Sequence, residues 1–168
     1  MTPRLANLVG FCLCAGLLGY AYYAQYHLHL EPCPLCILQR LGVFLTGVLF
    51  LIASINDPRQ GGTGRRIYSA AIALAALSTI VVATRQLYIQ SLPPGSIADC
   101  GAPLAIMMKL MSPGEVLRKI LAGSGECAKV DWHLLGLAMP AWVLISSAAL
   151  GALGLWANGQ RKSAPIRF

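Results

Sequence analysis

The chain has 168 residues, of which 57% are hydrophobic and only 11% charged. That balance excludes an ordinary soluble domain and makes a lipid bilayer the expected solvent, because four stretches of roughly 20 mostly apolar residues can be cut from it. The formal charge of +7 would suggest a nucleic-acid partner in a soluble protein, but Lys and Arg here gather at the edges of apolar runs rather than on an aromatic-rich polar face, and nucleic acid is set aside.

The first predicted span runs from about Leu8 to Tyr26. It is too long for a signal-peptide core and no small-residue cleavage site follows it, so it reads as a retained helix. Cys12 and Cys14 lie inside it, where a small apolar side chain serves for packing. The short loop HLHLEPCPLC follows, and Pro32 and Pro34 disfavour helix there. A second span covers about Cys36 to Ile55, and the polar stretch DPRQGGTGRR leads to a third over about Ile67 to Ile89. A long loop, roughly residues 90–133, precedes a fourth span over about Leu134 to Trp156. In this loop Val116, Leu117, Ile120 and Leu121 recur at helical spacing with Arg118 and Lys119 between them. The pattern predicts a short amphipathic helix, lying either flat on the membrane or on the tops of the spans. The expectation is an all-α membrane protein of one domain over residues 1–168, a four-transmembrane-helix bundle with a short loop at about 27–35, a long loop at about 90–133 and a middle loop at about 56–66.

Orientation follows from the positive-inside rule. Arg4 precedes span one, Arg59, Arg65 and Arg66 lie between spans two and three, and Arg161, Lys162 and Arg167 follow span four. The short loop has neither Lys nor Arg, and the long loop balances four basic residues against four acidic ones. Both termini and the middle loop are therefore expected in the cytoplasm. The two cysteine-bearing loops then face the periplasm, a compartment where disulfides persist.

Those loops carry four cysteines. Cys33 and Cys36 form a C-P-L-C motif at the outer end of span two, a pattern shared by zinc sites and redox centres. At the start of a membrane helix, unpaired N–H groups and the positive end of the dipole favour a thiolate at Cys36, which suits it to meet an electron acceptor. Cys33, more exposed, is the better candidate for exchange with another disulfide. Arg40, four residues after Cys36, shares its helix face. It can stabilise the Cys36 thiolate, hold a carbonyl of the acceptor, or snorkel toward headgroups; Arg85, near the outer end of span three, has the same ambiguity. Cys100 and Cys127 are separated by 26 intervening residues, and Asp99, Gly101 and Pro103 put Cys100 in an exposed turn open to an attacking thiolate. A plain stabilising disulfide is the alternative, and four cysteines leave three pairings open. Four thiolates would also complete a tetrahedral zinc set, but an oxidising compartment would convert them to disulfides, so no metal is assigned. A non-enzymatic scaffold stapled by disulfides is the other rival. His27, His29 and His133 sit at span ends where interfacial polar residues are ordinary, and none is assigned to catalysis.

Three segments carry a resemblance: EPCPLCILQR entering span two, RQLYIQSLPP leading to Cys100, and GSGECAKVDWHLLGLAMPAWVL running from Cys127 into span four. Together with four spans and two loop pairs they resemble the disulfide bond formation protein B (DsbB) family of bacterial inner-membrane thiol:quinone oxidoreductases. The resemblance implies that Cys100 forms the mixed disulfide with a DsbA-like periplasmic thioredoxin-fold oxidase and that Cys127 is its bonded mate. It further implies that Cys33 and Cys36 reoxidise that pair, and that Cys36 lies next to ubiquinone or menaquinone from the membrane quinone pool, with Arg40 supporting quinone binding. Many members have a histidine at the end of span three; RQLYIQ has none, leaving Gln86 or Arg85 to stand in for it. The relay of DsbA, DsbB and quinone is a known example of a periplasm kept oxidising kinetically; about 30 mV of potential is worth about 1.4 kcal/mol for such a two-electron couple.

Overall fold

The computed structural model describes residues 2–56, 63–93, 109–123, 125–128 and 132–159. Four long helices dominate it: α1 (Pro3–His27), α2 (Pro34–Asn56), α3 (Thr63–Gln90) and α6 (Met139–Gly159). Each is long and apolar enough to cross a membrane, since at 1.5 Å per residue even 21 residues span about 31 Å. Between α3 and α6 lie a short helix α4 (Pro113–Ala122), one turn α5 (Gly125–Ala128), and a two-stranded antiparallel hairpin of β1 (His133–Leu134) and β2 (Leu137–Ala138). The chain is an all-α, multi-pass membrane protein.

Large apolar side chains such as Leu74, Ile67, Val81 and Phe44 point away from the bundle, as expected where the outer solvent is lipid. Inside, small residues bring the helices close. A Cβ at Gly10 of α1 would stand 2.8 Å from the Phe50 ring of α2, and one at Gly154 of α6 would stand 2.4 Å from Ile72 of α3. Phe50 and Ile72 are fully buried in the mid-bundle core with Cys14, Val43 and Leu150. Cys14 is thus a packing residue: its Cβ lies 3.0 Å from where a Gly47 Cβ would be.

Two helix starts differ from the sequence reading. Helix α2 begins at Pro34 rather than about Cys36, because proline is tolerated at the first helical position, where its missing N–H is not needed. Helix α6 begins at Met139 rather than about Leu134, because Leu135 (φ 53°) and Gly136 (φ 79°) form a left-handed pair that turns the chain into the hairpin.

The loop helix α4 sits on the top of the bundle. Its Val116 and Ile120 are buried in a second cluster with Leu35, Val82, Ile89, Cys33 and Cys127, while Leu117 and Leu121 face outward. Pro113 opens α4, and the Ser112 amide and hydroxyl donate to the Glu115 carboxylate at 3.0 and 2.9 Å. At its other end Arg85 donates to the carbonyls of Leu121 and Ala122 at 2.9 and 3.0 Å, satisfying acceptors that a helix C-terminus leaves open.

Candidate functional site

The C-P-L-C segment is built as a helix cap. Cys33 immediately precedes α2, its carbonyl accepts from the Ile37 amide at 3.1 Å, and its Sγ accepts from the Cys36 amide at 3.3 Å. A sulfur thus occupies the place where Ser or Asp would normally cap the third helical residue. This geometry brings the Cys33 and Cys36 sulfurs face to face at 2.9 Å. Spacing of two between the cysteines is what allows it, since N-cap and third helical position lie on one side of the first turn.

Cys127, on the single turn α5, is buried beside them and interacts with the Cys33 side chain. The neighbouring Cys127 and Cys36 sulfurs, together with burial, push the Cys33 thiol above its ordinary range. The expectation that Cys33 is the more exposed of the pair is reversed: Cys33 is buried, while Cys36 is half-buried. Its cause is α4, whose Val116 and Ile120 cover the cluster that contains Cys33. Cys100, and with it the Cys100–Cys127 pairing, lies outside the described residues.

A polar pair from two helices approaches the same sulfurs. Gln86 of α3 places its Nε2 3.3 Å from Cys36 Sγ and 3.5 Å from Cys33 Sγ, and its Oε1 accepts from Gln39 Nε2 of α2 at 2.7 Å. Of the two stand-ins considered for the missing histidine, Gln86 reaches the sulfurs. Arg85 is turned toward α4 and the Tyr88 ring, whose centre lies 5.3 Å from its guanidinium carbon.

A cavity opens beside Cys33 and Cys36 between α1, α2, α3 and α6, with apolar walls from Leu17, Leu18, Val43 and Val143 and polar groups from Gln39, Arg40, Gln86 and Gln90. Tyr20, Trp132 and Trp142 also line it. Trp132 meets the Tyr20 ring edge-on at 6.0 Å, and Trp142 Nε1 donates to the Leu134 carbonyl at 3.1 Å, fixing the hairpin beside the cavity. Arg40 is held rather than free to snorkel: it donates to Gln25 Oε1 and to the Ala21 carbonyl at 3.1 Å, and its guanidinium carbon is 5.4 Å from the Tyr22 ring centre. Those two bonds leave three of its five donors. The Gln90 Oε1 atom is buried without a hydrogen-bond partner among the described residues, an acceptor that a bound hydroxyl would satisfy. Gln39 and Gln90 escaped the sequence reading, although the spacing of Gln39 from Cys36, three residues on the same helix, carries a signal for a shared face.

His27 stacks on Tyr23 with ring centres 4.9 Å apart, and His133 is exposed in the hairpin.

Comparison with known proteins adds a relationship over almost the whole chain. The sequence profile described as Disulfide bond formation protein DsbB matches residues 3–157. A Disulfide bond formation protein B from Chromobacterium violaceum is 44% identical over 166 residues, covering 96% of this chain and 99% of that protein. One from Xanthomonas campestris pv. campestris is 42% identical, covering 92% of this chain and 90% of its own, and one from Xylella fastidiosa is 43% identical, with 90% and 87% covered. A profile match of this extent, joined to relatives of nearly equal length, establishes that the chain belongs to the DsbB family of disulfide bond formation proteins.

Proposed function

We propose that this chain is a thiol:quinone oxidoreductase of the bacterial inner membrane, with both termini cytoplasmic, that oxidises the dithiol of a DsbA-like periplasmic protein and so sustains disulfide bond formation. The observation that carries the reading is the gathering of Cys33, Cys36 and Cys127 at one end of the bundle, beside a cavity that also holds Arg40, Gln86 and Gln90.

Each step exchanges one S–S bond for another. A partner thiolate attacks Cys100 of a Cys100–Cys127 disulfide, giving a mixed disulfide through Cys100 and releasing Cys127 as a thiolate. Cys127, already beside Cys33, attacks the Cys33 sulfur of an oxidised Cys33–Cys36 pair, forming a Cys127–Cys33 bond and releasing Cys36. The partner's second thiolate attacks the partner sulfur of the mixed disulfide, which closes the partner's own disulfide and frees Cys100; Cys100 then attacks Cys127 and displaces Cys33. The outer pair is restored, and Cys33 and Cys36 hold the two electrons. The position of Cys127 beside Cys33 supports attack at Cys33, which leaves Cys36 as the released thiolate.

The cavity residues fit a quinone. Apolar walls suit its ring, the spare donors of Arg40 suit a carbonyl, and the Gln90 Oε1, without a partner among the described residues, suits a hydroxyl of the reduced form. A ubiquinone or menaquinone bound there supplies the two-electron, two-proton acceptor that allows the Cys33–Cys36 bond to close again. Arg40, held in place by Gln25 and the Ala21 carbonyl, contributes a positive charge at the cavity.

The test is quinone reduction by the purified protein, supplied with a reduced periplasmic thioredoxin-fold dithiol protein, for wild type and each of the four Cys-to-Ala variants. Every one of the four substitutions is expected to reduce turnover to the uncatalysed background, and with Cys127→Ala a covalent complex with the partner should be trapped through Cys100. A complex trapped through Cys33 would reverse the order of transfer. Bound zinc with four reduced thiols in metal analysis would replace the whole reading by a metal site.

A further inference from the structure

Gln86 presents an amide to the Cys36 sulfur, and an amide has two unlike ends. Its NH2 group stabilises a negatively charged sulfur, whereas its carbonyl oxygen repels one and can only accept from an S–H. Both ends are within reach here, with Nε2 3.3 Å and Oε1 3.6 Å from Cys36 Sγ. Nothing in the Gln86 side chain alone decides which end faces the sulfur.

We propose that Gln39 is a positioning residue for electron transfer: by donating its own N–H to Gln86 Oε1, it fixes the Gln86 amide with the NH2 group turned to Cys36. The contact is the short one of the set, 2.7 Å between Gln39 Nε2 and Gln86 Oε1. Both side chains are almost fully buried, at 4% and 3% exposure, so water cannot readily take over the bond. Gln39 stands one helical turn below Cys36 on α2 while Gln86 comes from α3, and the pair therefore orients the donor from the same helix that carries the sulfur. The consequence is a redox one. A donor held toward Cys36 stabilises the reduced pair in its anionic form, and stabilising the reduced form makes a dithiol pair a stronger oxidant. This inference rests on the functional reading above for its relevance to turnover, but not for its measurement.

The bland alternative is that Gln39 and Gln86 only tie α2 to α3. A double-mutant cycle separates the two. In the full chain carrying Cys100→Ala and Cys127→Ala, the Cys33–Cys36 couple is equilibrated with a glutathione buffer at neutral pH, and four proteins are compared: parent, Gln39→Leu, Gln86→Leu and both together. Gln86→Leu is expected to shift the equilibrium toward the disulfide about tenfold, which is about 30 mV. Gln39→Leu should shift it the same way by about threefold to fivefold in the parent, and leave it unchanged once Gln86 is already Leu. Should Gln39→Leu not fold, Gln39→Met keeps the volume without the donor and serves in its place. An equal shift by the Gln39 substitution in both backgrounds, or no shift in the parent, overturns the proposal. Quinone reduction by the protein with all its cysteines is followed in parallel: its failure would remove the functional reading, whereas the cycle alone decides whether Gln39 orients Gln86.

Discussion

The two ends of the bundle treat their polar groups in opposite ways. At the end away from the cysteines, polar side chains close on one another: Asn7 and Asn158 exchange two hydrogen bonds at 3.1 and 2.9 Å, Asn158 also donates to the Gly154 carbonyl, and the buried Arg65 donates to the Ala157 carbonyl. Ser54 adds a bond to the Arg4 carbonyl at 3.3 Å. At the cysteine end, Gln90 has a buried oxygen with no partner among the described residues, Gln86 spends its NH2 on sulfur, and a cavity enters between the helices. Unpaired polar groups are costly where no water can reach them. A closed network therefore marks the end that holds the helices together, and an open one marks the end that has a ligand and chemistry to accommodate.

That contrast breaks first at Cys33. Its raised thiol should make it a poor nucleophile in the reduced protein, because only the thiolate reacts. Alkylation of Cys33 at neutral pH is expected to be slower by more than about tenfold than in the denatured chain, and to accelerate as pH rises. A rate equal to that of the denatured chain would mean that the cysteine end is open to solvent and not organised as described.

Arg40 comes next. Replacing it by Leu removes the spare donors at the cavity, and the apparent KM for quinone should rise about fivefold, roughly 1 kcal/mol, with the KM for the dithiol partner unchanged. An unchanged quinone KM would reduce Arg40 to its contacts with Gln25, Ala21 and Tyr22 on α1. At the closed end the expectation is the reverse. Asn158→Leu strands the Asn7 amide and should cost about 1–3 kcal/mol of stability, read by thermal unfolding in detergent, while turnover per folded molecule stays the same. If that substitution lowered turnover without affecting unfolding, the division of labour between the ends would be wrong.

The sequence made the four long helices legible because apolar length is a strong signal, and it made the Cys33–Cys36 pair legible because the motif coincides with a helix start. Its weakness was in what one helix presents to another. Nothing local indicates that Gln86 rather than Arg85 reaches the sulfurs; the choice is set by the rotation of α3, which buries Val82, Gln86 and Ile89 and leaves Arg85 at the edge to hold α4. The burial of Cys33 was equally hidden, since the residues that cover it come from α4, some 80 positions away in the chain. The hairpin before α6 was missed because Leu135 adopts a left-handed conformation that leucine seldom takes and that propensity alone argues against.

The smallest expected effect concerns that cover. Glu115 accepts from the hydroxyl and amide of Ser112, and these two bonds hold its carboxyl below the ordinary value of 4.5. A depressed carboxylate stabilises the folded helix start above the ordinary value, and the contribution is lost as pH falls through the lowered one. Because Glu115 is fully exposed, solvent screens the effect and it is confined to the first turn of α4. Fraying there would loosen Val116 and Ile120 over Cys33 and Cys127, whereas the closed end is held by the Asn7–Asn158 pair, which has no titratable group. Amide exchange in α4 should therefore lose protection relative to the intrinsic rate only on acidification well below the ordinary carboxyl value of 4.5, with α6 near Asn158 unaffected. Glu115→Gln should show the weaker protection already at neutral pH and little further loss in acid. If wild type and Glu115→Gln are protected alike at both pH values, the cap contributes nothing, and the cover over the cysteines rests on apolar packing alone.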